Sequence, residues 1–246
     1  MKVMWSKKEV RLRAFDHVEG MGYFCMLRIM NVMALSVAMC SVGSNAYAGS
    51  NVIKHKDSTA PSFMRIFGPA QPPYGYLQFC STNPQYCTAG GKLSHAASQR
   101  FEATPERLSE LDEVNRQVNQ AIEPYTDQEL YGVSEYWTLP TSRGDCEDYA
   151  LLKRDELERR GWPRSALLLT VVRDEIGEGH AVLTVRTKHG DFVLDNKTPD
   201  VRLWSELPYH FVMRQSYVNP MVWVSLDKTY SAGNGFHTVA SGNHQK

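Results

Sequence analysis

The chain has 246 residues, with 27 basic and 27 acidic side chains, 42% hydrophobic and 11% aromatic residues. That length and composition support one or two domains around a sizeable core and exclude a disordered chain. The absence of a cationic surplus argues against a nucleic-acid-binding protein, because phosphate recognition depends on one. The neutral total hides a split. Residues 1–48 hold six Lys/Arg and three Asp/Glu, which leaves 21 basic against 24 acidic side chains beyond them, a net of about −3.

From Met26 the sequence reads MLRIMNVMALSVAMCSVGSNAYAGS: a short basic start, an apolar run from Ile29 to about Val42, then small residues ending at Ala48. This is the layout of a secretory signal cleaved after Ala48, and residues 1–48 are assigned to it. The apolar run is shorter than the roughly 20 residues a spanning helix needs, so an uncleaved inner-membrane anchor is the alternative reading. Residues 1–20 are charged and unlike a signal start, which points to Met21 or Met26 as the true beginning. The expected location is the periplasm.

Residues 49–79, with GPAQPPYGY, read as an irregular Pro/Gly-rich arm before a domain over 80–228. Cys80 and Cys87 flank Asn83-Pro84, a turn signal that brings the two ends together. In an oxidising compartment they are expected to form a disulfide. Beyond the signal segment that leaves Cys146 as the odd thiol.

A helix is predicted from Thr104-Pro105, with Thr as N-cap and Pro at the first helical position, to Pro124. Leu108, Leu111, Val118 and Ile122 give it an apolar face. A second helix runs from about Asp145 to Arg160 and stops at Gly161. Strands follow at Ala166–Val172, at His180–Thr187 and Phe192–Asp195 as a hairpin around KHGD, and at Phe211–Tyr217 and Met221–Leu226. Residues 229–246 read as a flexible tail. The whole predicts one α+β domain, helices packed on an antiparallel sheet, expected as a monomer.

Cys146 falls at the start of the second helix, where free backbone N–H groups and the helix dipole favour a thiolate and an oxyanion. Asp145, Glu147 and Asp148 oppose this, since nearby carboxylates disfavour another negative charge. A histidinium or a bound cation would resolve the conflict. In the hairpin, placing Ala181, Leu183 and Val185 on the same side as Phe192 and Leu194 requires an even-numbered turn. That register puts His180 and Asp195 together on the opposite face, to within a residue or two. A thiol at a helix start with His and Asp on adjacent strands is a nucleophile, base and orienter.

EYWTLPTSRGDCEDYALLKRDELERRGW and GHAVLTVRTKHGDFVLDN resemble the bacterial transglutaminase-like cysteine proteinases, which include the LapG-type periplasmic proteases. The resemblance spans about Leu77 to Ser216. It implies a papain-like, transglutaminase-like fold and a catalytic triad of Cys146, His180 and Asp195. It also implies calcium bound through Asp145 and Glu147, oxygen ligands of the kind Ca²⁺ prefers. A large surface adhesin as protein substrate follows from the same resemblance, and a membrane-bound inhibitor protein is a candidate partner. Two other functions fit the same residues: acyl transfer to an amine (a transglutaminase or deamidase) and a non-catalytic, calcium-responsive binding module.

Overall fold

The computed structural model describes residues 62–88 and 99–229. The expected signal segment and most of the expected tail lie outside them. Among the described residues, no helix is long and apolar enough to cross a membrane.

The helix opened by Thr104 spans Pro105–Ala121, and the one carrying the cysteine spans Cys146–Arg159. Here they are α2 and α4, in chain order after α1 (Tyr74–Thr82) and with the short α3 (Asp127–Tyr131) between them. Thr104 caps α2 by accepting from the N–H of Arg107, the role expected of an N-cap threonine. The Pro/Gly-rich arm is more ordered than its composition suggests. It contributes α1 and a three-residue strand, β1 (Gly68–Ala70), at the edge of the sheet where a proline is tolerated. α1 joins by a disulfide: Cys80 and Cys87 are bonded, with their Cα atoms 5.6 Å apart.

The main sheet has seven antiparallel strands in the order β1-β9-β8-β4-β5-β6-β7. Its members after β1 are β4 (Leu167–Arg173), β5 (Gly179–Thr187), β6 (Gly190–Leu194), β7 (Arg202–Leu203), β8 (His210–Gln215) and β9 (Trp223–Ser225). α4 packs on β5 and on α2. Leu167, Leu169, Val171, Ala181, Leu183, Val185, Phe192 and Leu194 form the core beneath these helices. The opposite face is also covered: Val172, Val182, Val193 and Phe211 bury against Met64, Trp204, Leu207 and Tyr209. Cover on both faces explains why β4 is buried from Leu167 to Val172 and apolar there except at Thr170, whose hydroxyl pairs with that of Thr184. The fold is therefore α+β, as the sequence pattern implies.

A second, two-residue parallel ladder lies beside the helices. β2 (Glu123–Pro124) pairs with β3 (Arg143–Gly144), and the Tyr125 N–H donates to Gly144 O at 3.0 Å. This pairing lays residues 125–127 alongside the start of α4.

Candidate active site

Cys146 is the first residue of α4, after Asp145 at the N-cap. The helix turns Cys146, Tyr149, Ala150 and Leu157 toward the core at helical spacing. Lys153 lies in the same stripe and is almost fully buried. Burial drives its ammonium down to about 7, against the pull of the Asp195 charge.

The β5–β6 hairpin turns on Lys188 and His189, an even-numbered turn with Leu183 opposite Leu194 and Val185 opposite Phe192. In that register Asp195 follows on opposite Val182, two residues along from His180 and on the same face. The two side chains meet diagonally: His180 Nε2 lies 2.9 Å from Asp195 Oδ1, with both residues buried. Asp195 accepts two further hydrogen bonds, from the Lys197 N–H at Oδ1 (3.0 Å) and from the Tyr209 hydroxyl at Oδ2 (2.6 Å). Burial alone would raise its carboxyl. The hydrogen bond and charge of His180, with the donors from Lys197 and Tyr209, hold it at about 2. Asn119 of α2 fixes the backbone by donating to Asp195 O.

Cys146 and His180 line one cavity of about 460 Å³, with Tyr125, Tyr149, Asp174, Ile176 and Lys197 on its walls. The thiol is hydrogen-bonded elsewhere. Sγ accepts from the Ala181 N–H at 3.4 Å, which sets it beside the strand residue after His180, and it donates to Glu147 Oε2 at 3.1 Å. Burial, then the charges of Glu147 and Asp145, push the thiol well up. The electrostatic conflict expected from the sequence is therefore present.

The carboxylates responsible form a cluster. One oxygen from each of Asp127, Asp145 and Glu147 lies within 4.8 Å of the others. Among the described residues, Asp127 Oδ1, Asp145 Oδ1 and Glu147 Oε1 are buried without a hydrogen-bond partner. Burial, then the neighbouring Asp145 charge, raises Asp127 to about 7, and burial followed by the same charge pushes Glu147 well up. Unpaired buried carboxylate oxygens at this spacing suit a hard cation with oxygen ligands, so the residues present fit calcium. Sequence reading found Asp145 and Glu147 but missed Asp127. Its one local signal is the Thr126–Glu129 capping box that opens α3 and places Asp127 in its first turn.

A cysteine at a helix start, sharing a cleft with a buried His–Asp pair on an antiparallel sheet, is the layout of papain-like thiol hydrolases. The model of the bacterial transglutaminase-like cysteine proteinase family matches residues 66–231. The chain belongs to that family and is a cysteine peptidase. Similar solved structures include calcium-bound LapG of Legionella pneumophila. It is 25% identical, with 53% of this chain and 75% of that one covered and a TM-score of 0.43. The EGTA-treated form of that protein is 27% identical, with 46% of this chain and 64% of that one covered and a TM-score of 0.40. Comparison with curated protein sequences finds no match.

Proposed function

We propose that the chain is a periplasmic endopeptidase that cuts a protein substrate with Cys146, His180 and Asp195, and that a large surface adhesin is the substrate class. The observation that carries the triad is the buried 2.9 Å pair of His180 and Asp195 in the cavity that Cys146 also lines.

With Nε2–H committed to Asp195, Nδ1 is the nitrogen left to take the thiol proton. The thiolate adds to the scissile carbonyl carbon, and the oxyanion forms near the backbone N–H groups at the start of α4. The C–N bond then breaks, and the imidazolium returns its proton to the leaving amine, giving a thioester. Water activated by the same imidazole hydrolyses it, and the thiol is regenerated. Asp195 holds the tautomer and favours the imidazolium throughout.

Asp127, Asp145 and Glu147 would hold Ca²⁺ through their unpaired oxygens. The ion would supply positive charge beside a thiol that the carboxylates push up. Export is supported by the signal-like segment and by the Cys80–Cys87 disulfide, a bond that persists in oxidising compartments. The adhesin rests on the resemblance of the GDCEDYA and GHAVL segments.

The test compares surface proteomes of cells carrying the wild-type chain or Cys146→Ser. A large surface protein trimmed near its N-terminus in wild-type cells alone is the expected result, and identical trimming in both rejects the reading. A labelled amine added to the purified enzyme and the surface protein separates hydrolysis, which gives new termini, from stable amine incorporation.

A further inference from the structure

Asp195 has two oxygens, and they are held from different sides. Oδ1 receives both His180 Nε2 and the Lys197 N–H, whereas among the described residues Oδ2 receives the Tyr209 hydroxyl alone. Asp195 is almost completely shielded from solvent, so water cannot readily replace a lost donor. The Tyr209 ring also meets the imidazole edge-on, with centroids 5.8 Å apart and planes at 78°. One side chain thus touches both members of the pair, from a segment just before β8 that packs with Leu207 and Phe211 on the face of the sheet away from α4. With only the two donors at Oδ1, the carboxylate is free to pivot about its Cβ–Cγ bond and carry the imidazole with it.

We infer that Tyr209 is a positioning residue of this peptidase: its hydroxyl locks the Asp195 carboxylate and its ring edge sets the plane of His180, so that Nδ1 is aimed at the thiol. The inference rests on the triad reading, so its test must separate the two. Tyr209 acts through Asp195 and His180 and is not among the residues lining the cavity that Cys146 shares.

The experiment measures the rate at which iodoacetamide alkylates Cys146 in the full chain, in calcium-containing buffer, for wild type, Tyr209→Phe and His180→Ala. The phenylalanine keeps the ring and its packing and removes only the hydroxyl, and near-UV circular dichroism checks that it folds. Nitrogen-15 labelling of the histidines reports the His180 Nε2–H signal. Tyr209→Phe is expected to slow alkylation about tenfold and to shift or broaden that signal, with His180→Ala slower still. A Tyr209→Phe chain that labels at the wild-type rate with an unchanged Nε2–H signal overturns the inference, provided His180→Ala is slow. If His180→Ala itself labels as fast as wild type, the triad reading fails instead.

Discussion

At the hairpin end of the cleft, the Asp195 carboxylate receives three hydrogen bonds and stays ionised down to about 2. At the helix end, Asp127, Asp145 and Glu147 each keep a buried oxygen that no group among the described residues meets, and their carboxyls are pushed up. Both regions bury acidic groups at similar depth, so burial alone does not decide their state. What differs is the supply of donors. The His180–Asp195 pair finds its donors among the chain's own groups, whereas among the described residues the carboxylates beside the thiol do not, and protons or a cation would complete them.

The largest effects should come from removing the reacting groups. Cys146→Ser should abolish proteolysis, and Asp195→Ala should lower kcat by about 10²- to 10⁴-fold in a cleavage assay. Asp195→Ala should also lower the melting temperature, because it strips the partner from His180, Lys197 and Tyr209 together. An equal loss of stability from a single carboxylate deletion at the helix end would erase the contrast between the two regions.

Calcium should act on the helix end alone. Asp127 at about 7 and Asp148 at about 9 stand above their usual 3.8, so the folded protein keeps protons that the unfolded chain has released. That contribution to stability is full only below about 3.8, and it is lost as the pH climbs from there to about 7 for Asp127 and about 9 for Asp148. The melting temperature of the metal-free protein should therefore fall by several degrees between pH 5 and pH 9. Added calcium should raise it more at pH 8 than at pH 5, and Asp127→Asn should remove most of the increment.

Smaller tests sharpen the contrast. A Cβ added at Gly144 would lie 2.5 Å from Asp148 Oδ2 and 2.8 Å from Asp148 Cβ. Asp148 is buried, with Oδ1 bonded to the Thr138 N–H, and cannot withdraw. Gly144→Ala should thus cost about 1–3 kcal/mol in denaturant unfolding. Replacing Cys80 and Cys87 together by alanine should cost about 2 kcal/mol, the value for closing so short a loop, and leave Cys146 alkylation unchanged. A change in labelling would mean that α1 reaches the cleft.

The parts of this site visible in the sequence are those governed by local periodicity. The period of two in β5 and β6 fixes which faces His180 and Asp195 share, and the two-residue turn does the rest. The Thr-Pro start of α2 and the Gly stop after α4 are equally local. Asp127 and Tyr209 were not visible, because each enters by tertiary pairing: Asp127 through the short β2–β3 ladder, Tyr209 from the segment before β8. The strand Gly68–Ala70 was hidden for a related reason. Three residues containing Gly and Pro have no strand signal of their own, and a partner more than 150 positions later makes them one.

That last pairing governs the order of assembly. Gly68 lies opposite Ser225, so the edge of the sheet formed by the start of the domain waits for nearly its last residues. The β5–β6 hairpin closes over two residues and can form early, whereas β1 and β9 are non-local partners whose pairing is slow. A chain ending before Trp223 leaves both β1 and the flank of β8 with unpaired backbone. Such fragments should associate edge to edge rather than persist as smaller peptidases, and peptidase activity should require the chain through β9.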